Sequence, residues 1–136
     1  MILLVDTCVW SLSLRRRHGT SFTAEQQRLI SELQQAIEEG RVSVVGIIRQ
    51  EVLSGVREKT EFAKIQRLLA PFEDEDVIAE DYIEAARMHN TCQNHGVQCG
   101  AVDMLVAAVA ARKNFNVITS DKGMARCLDV LRIPHS

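Results

Sequence analysis

The sequence carries almost no net charge: 16 Lys and Arg face 18 Asp and Glu, for a formal charge of -2. No global field therefore gathers a polyanion, and any contact with nucleic acid must rest on a local basic patch. Cysteine is scarce, with four residues, Cys8, Cys92, Cys99 and Cys127. That excludes a disulfide-dense scaffold, and free thiols in a reducing compartment are expected. Long apolar runs are missing too. The longest candidate, AVDMLVAAVAA, falls short of a membrane span and is interrupted by Asp103. The opening MILLV is too short for the apolar core of a signal peptide and lacks a basic start. A cytoplasmic protein with no membrane contact is the expectation. Proline occurs only twice, at Pro71 and Pro134, and no repeat or low-complexity tract divides the chain.

What remains is a chain of 136 residues, 46% hydrophobic and 25% charged, the balance of one globular domain over 1–136. ILLV (2–5) reads as a short strand buried on both faces. Thr23 to Gln26 has capping-box form and opens a helix carrying Leu29, Ile30, Leu33 and Ile37, which Gly40 stops. VSVV (42–45) is a second strand, with a helix directly after it. Phe62, Ile65, Leu68 and Leu69 mark another helix that ends before Pro71. DVIA (76–79) is read as a third strand, 80–94 and 101–112 as helices, and NVITS (116–120) as a late strand. A last strand is placed at 128–133. Strands alternating with helices predict a three-layer α/β/α sandwich around a mostly parallel sheet.

In such sheets ligands bind beyond the carboxyl ends of the strands. Asp6 follows ILLV immediately, and Asp121 follows VITS in the same way. Glu51 lies in the first turns of the helix after VSVV, and Asp103 in the first turn of the helix from Ala101. Three acids are thus directed to one rim, and Asp103 joins them if its helix starts there. Each has a structural explanation as well. Asp6, Thr7 and Asp121 suit helix caps, Asp103 suits the helix dipole, and Glu51 suits an exposed pair with Arg49 or Lys59. Asp103 is the hardest to explain so, because Val102, Leu105, Val106 and Val109 surround it. Four converging carboxylates repel one another unless a cation sits among them. An all-oxygen donor set selects a hard ion, Mg²⁺ or Mn²⁺. The chemistry suggested is metal-dependent phosphodiester hydrolysis.

Two rival enzyme readings fail on their motifs. A haloacid-dehalogenase-like phosphatase needs a second acid two residues after Asp6, where Cys8 stands, and a response-regulator receiver needs a phosphoacceptor Asp after a middle strand. A non-catalytic α/β binding module, its acids serving as caps, remains an alternative. His89, Cys92, His95 and Cys99 lack the spacing of a paired zinc ribbon and follow one helix and its exit, so exposed histidines and packed thiols are expected. Trp10 is expected in the core or at a protein contact.

Asp6-Thr7-Cys8-Val9-Trp10, an acid at Glu51, the stretch GAVDMLVAAVA and the stretch VITSDKGM together resemble a PIN domain across the whole chain. Within that family the chain is most similar to the VapC group, toxin ribonucleases of type II toxin–antitoxin pairs. The resemblance implies Asp6, Glu51, Asp103 and Asp121 as metal-binding acids, with Thr7 and Thr119 in support. It implies a Mg²⁺- or Mn²⁺-dependent endoribonuclease acting on structured RNA such as tRNA, inhibited by a cognate antitoxin and paired as a homodimer. A PIN-type nuclease outside toxin pairs is the nearest alternative. Arg15, Arg16 and Arg17 form the densest basic run and are candidates for RNA-backbone contact, with Arg49 and Arg57 as further ones. Two positions depart from the family pattern: Cys8 replaces a small hydroxyl or amide residue, and Lys122-Gly123-Met124 replace an acid and an aromatic after Asp121.

Overall fold

Leu3, Leu4 and Val5 are apolar at consecutive positions and nearly solvent-free, so the segment satisfies both faces only inside a sheet. In the computed structural model, which describes residues 1–14 and 21–136, they form β1 (Leu3–Val5). The chain continues through α1 (Thr7–Leu14), α2 (Ala24–Glu38), β2 (Val42–Val45), α3 (Gly46–Ser54) and α4 (Lys59–Leu69). Then come β3 (Asp74–Glu75), α5 (Ala79–Asn94), α6 (Ala101–Lys113), β4 (Asn116–Ile118) and α7 (Lys122–Leu131). The four strands lie in the order β3-β2-β1-β4, and every pairing is parallel. Leu3 and Leu4 pair with Val42 and Ser43 on one side, while Leu3, Leu4 and Val5 pair with Asn116, Val117 and Ile118 on the other. The helices flanking the sheet pack in two groups, α1 to α4 and α5 to α7. This is the expected α/β architecture with a parallel central sheet. No described helix is long and apolar enough to cross a membrane.

Local signals set the boundaries of several elements. Thr23 Oγ1 accepts from the Gln26 amide while Gln26 Oε1 accepts from the Thr23 amide, so the capping box forms as read. Gly40 follows α2 at φ +67°, and Asn114 ends α6 at φ 58°, both in the left-handed region that such stops require. Trp10 is 1% exposed and meets Phe72 edge-on at 5.3 Å, a core contact.

Three expectations are corrected. The third strand lies at Asp74–Glu75, not 76–79. Its residues are acidic and short of apolar pattern, but their backbone matches Val44 and Val45 of β2, and Ser43 Oγ donates to Glu75 Oε1 at 2.8 Å. Residues 77–79 instead lead into α5, because the Asp81 carboxylate accepts from the Ile78 amide and caps the helix start. The span 128–133 is not a strand: Met124, Cys127, Leu128 and Leu131 repeat at helical spacing, and the segment to Leu131 belongs to α7. Only an isolated bridge, Val117 with His135, extends the sheet there. Finally, Cys99 and Cys127 are not free thiols but are joined by a disulfide, while Cys8 and Cys92 remain free.

An ion pair between the buried Asp81 carboxylate and the partly exposed Arg112 ties α5 to α6. Arg112 Nε and Nη2 donate to the two Asp81 oxygens, each at 2.8 Å, and Nη2 also reaches the Asp76 carbonyl. The guanidinium holds the Asp81 carboxyl below the ordinary carboxylate range.

Candidate active site

Asp6 directly follows β1 and is 6% exposed, a carboxylate that must be satisfied by nearby donors. Oδ1 accepts from the Thr7 amide at 2.9 Å, and Oδ2 from the Thr119 hydroxyl at 2.9 Å and the Cys8 thiol at 3.6 Å. Burial pushes its pKa up, the bonds from Thr119, Thr7 and Cys8 oppose that, and the charge of Asp121 adds to it.

Thr119 follows β4 and links two acids. Its hydroxyl donates to Asp6 and accepts from the Asp121 amide at 3.0 Å. Asp121 N-caps α7, with Oδ1 accepting from the Gly123 and Met124 amides at 2.8 and 3.2 Å. Both bonds fall on one oxygen, so capping occupies half of the carboxylate. The cap explanation and a ligand role are therefore compatible at this residue.

Glu51 projects from α3, the helix that leaves β2, and Thr7 Oγ1 donates to its Oε1 at 2.7 Å. The expected pairing with Arg49 is not made. That guanidinium instead bonds Asp74 and the carbonyls of Leu69 and Phe72, which holds the chain between α4 and β3. Asp103 stands in the first turn of α6. Its pKa rises from 3.8 to about 6, through burial first and then the charges of Asp6, Asp121 and Glu51, against a bond from the Gly100 amide. All four acids singled out from the sequence thus share one electrostatic site. Thr7 bonds Asp6 through its amide and Glu51 through its hydroxyl, and Thr119 bonds Asp6 and the Asp121 amide. Arg15, Arg16 and Arg17 lie outside the described residues.

The residue that sequence reasoning undervalued is Cys8. Its sulfur contacts Asp6 Oδ2 and lies 3.5 Å from Thr119 Oγ1, and it accepts from the Ser120 amide at 3.3 Å. A thiol here takes up the hydrogen-bonding positions of a hydroxyl, with longer contacts. Gly100 was visible only as part of a motif. Its role is local: an added Cβ would meet Asp103 Oδ2 at 3.4 Å, and its amide supports that carboxylate.

The donor set fits a hard divalent cation. The four acids offer carboxylate oxygens, and both the burial and the neighbouring negative charges that raise Asp103 would be offset by a positive charge beside it. No three of the four acids bring one carboxylate oxygen each within 4.8 Å of one another.

A parallel α/β sheet that gathers acids near the carboxyl ends of neighbouring strands defines the class, an α/β protein with an acidic sheet rim. The chain belongs to the PIN domain family, whose profile matches residues 3–127. Nucleases of this family generally use divalent metal ions. A comparison with curated protein sequences finds no match. Among solved structures, the fold is similar to that of FitAcB from Neisseria gonorrhoeae, with a TM-score of 0.75 at 22% identity, over 98% of this chain and 96% of that one. It is similar to VapBC2 from Rickettsia felis, solved with a DNA fragment from its promoter, with a TM-score of 0.73 at 17% identity, over 100% and 98% of the two chains. DNA-bound VapBC from Salmonella typhimurium gives a TM-score of 0.70 at 15% identity, over 100% and 97%.

Proposed function

We propose that the protein is a metal-dependent endoribonuclease and the toxin of a type II toxin–antitoxin pair. The observation that carries this reading is the acidic rim tied together by Thr119, which bonds Asp6 and the Asp121 amide, and by Thr7, which bonds Asp6 and Glu51, with Asp103 within reach of the charges of all three. The family supplies the nuclease chemistry, and the FitAcB and VapBC structures, which are similar in fold, supply the antitoxin expectation. Asp6, Asp103, Glu51 and Asp121 would hold one or two Mg²⁺ or Mn²⁺ ions. Such an ion, when bound, stabilises charge on a phosphodiester and acidifies water for in-line attack.

The chain's own groups set the conditions for that chemistry. Thr119 keeps one Asp6 oxygen hydrogen-bonded and anchors the Asp121 backbone, so two ligands hold a fixed relation. Thr7 does the same for Asp6 and Glu51, through its amide and its hydroxyl. The near-neutral overall charge leaves RNA contact to local cations, with Arg15, Arg16 and Arg17 as the proposed backbone contacts. Structured RNA such as tRNA, a homodimer and a cytoplasmic setting complete the reading. An antitoxin segment would block the acidic rim.

The test is cleavage of a defined RNA set by the purified chain, separated from any antitoxin, with Mn²⁺, with Mg²⁺ and with chelator. Activity is expected with either ion, none with chelator, and a loss of about 100-fold or more for Asp6→Asn at unchanged circular dichroism. Equal cleavage by Asp6→Asn would overturn the assignment, and cleavage of DNA in preference to RNA would redirect it to another nuclease. Sequencing of RNA ends after brief expression in cells identifies the target.

A further inference from the structure

Three sulfurs from separate elements converge at the end of the fold where α5, α6 and α7 meet. Cys92 comes from the last turns of α5, Cys99 from the segment before α6, and Cys127 from α7. Their Sγ atoms all lie within 4.8 Å of one another. Cys92 and Cys127 are wholly buried, and Cys99 is half-buried. A disulfide needs two of the three. The third, Cys92, is a free thiol whose sole polar contact is a 3.9 Å approach to the Cys127 carbonyl, so packing alone does not require sulfur there.

We propose that, with the Cys99–Cys127 bridge reduced, Cys92, Cys99 and Cys127 form a three-thiolate site for a thiophilic cation, with Zn²⁺ the best match. A zinc-bound thiolate sits about 2.3 Å from the ion, which puts three of them roughly 3.8 Å apart. Sulfurs already gathered within 4.8 Å reach that spacing by small side-chain rotations once the bridge is open. Cys99 also lines a cavity of about 330 Å³ with His89, Gln93, Gln98 and Gly100, which would give an ion a path from solvent. Soft thiolates reject the hard ions suited to the carboxylate rim, so the two sites sort metals by ligand chemistry.

The chemistry balances with a dithiol reductant. It passes two electrons and two protons to the bridge, leaves Cys99 and Cys127 as thiols, and closes into its own disulfide. Binding of the ion then releases the thiol protons to solvent. Cys99 adjoins Gly100, whose amide supports Asp103, so occupancy of this site tethers the start of α6. The noncontiguous spacing explains why the sequence concealed it. Cys127 is 28 residues from Cys99, and the two histidines near Cys92 are not among the converging groups.

The experiment uses the full chain carrying Cys8→Ser, which removes the remaining cysteine, with Co²⁺ as the probe. The reduced protein should take up one equivalent with thiolate-to-cobalt charge-transfer absorption and tetrahedral visible bands, both abolished by added Zn²⁺. The oxidised protein should show neither, although cobalt on carboxylates remains permitted. Adding Cys92→Ser should weaken cobalt binding by more than about 100-fold, because even losing an outer hydrogen-bond partner of a metal ligand costs roughly 10- to 100-fold. Should that variant fail to fold, Cys99→Ser, at a half-buried position, gives the same reading. Absence of the charge-transfer absorption from the reduced protein, or its persistence in either variant, would overturn the proposal.

Discussion

Replacing Asp103 by Asn should make the metal-free protein more stable while abolishing its response to divalent ions. The carboxyl is raised from 3.8 to about 6 by burial and by its acidic neighbours, so ionising it at neutral pH opposes folding. A shift of that size corresponds to about 3 kcal/mol at most, and partial exposure reduces it to about 1–2 kcal/mol. For a chain of this length that is a rise in Tm of about 3–8 °C in chelator at pH 7.5. The sign reverses the usual carboxylate case. Because the folded pKa is raised, the contribution favouring folding is complete below 3.8 and is lost as pH rises through about 6. The gap between wild type and Asp103→Asn should therefore shrink as pH falls through 6 and vanish near 4. Manganese should then invert the order. An ion at 100 times its Kd stabilises the wild type by about 2.7 kcal/mol and leaves the variant unmoved. Thermal denaturation with and without Mn²⁺ across that pH range measures all three effects. A variant less stable than wild type in chelator at pH 7.5, or one still stabilised by Mn²⁺, would refute the reasoning.

Other perturbations separate the roles of neighbouring groups. Thr119→Val removes a donor to Asp6 and an acceptor for the Asp121 amide, and should cut nuclease activity by roughly 10- to 100-fold in an RNA cleavage assay, with Mn²⁺ affinity weakened in parallel. Cys8→Ser should keep activity within about 3-fold, since a hydroxyl can make the same contacts, and should end inhibition by thiol reagents. Arg112→Gln should lower Tm by stranding the buried Asp81 carboxylate. Asp81 has a lowered folded pKa, so its contribution is present above 3.8 and fades as pH falls through the lowered value; the Tm deficit of the variant should fade with it.

The parts of the fold legible in the sequence were those where local chemistry and tertiary position agree. ILLV reads as a strand because β1 is interior and covered on both faces, and Gly40 and Asn114 read as stops because they must adopt positive φ. β3 was misplaced by two residues because Asp74 and Glu75 carry no apolar signal; backbone pairing along the edge of β2 alone makes them a strand. The stretch 128–133 alternates enough to resemble a strand, and only its continuity with Met124 and Cys127 shows the helical period. At the rim, Asp6 and Asp121 could be located from strand–acid adjacency. The placement of Asp103 could not, because α6 follows a loop and not a strand. The Cys99–Cys127 bridge joins positions 28 residues apart, a proximity that spacing alone cannot reveal.

The parallel order β2-β1-β4 also acts as a ruler for charge. Neighbouring strands stand about 4.8 Å apart, so acids delivered at or just past their carboxyl ends inherit a spacing set by the hydrogen-bond ladder and not by side-chain packing. Asp6 sits on the middle division and Asp121 beyond β4 to one side, while Glu51 on the other side is carried by α3 and not by the ladder. Core residues can therefore be exchanged widely without moving the acids. One residue inserted between Val5 and Asp6 has the opposite effect: it changes no chemistry, yet it turns the central carboxylate to the other face of the sheet.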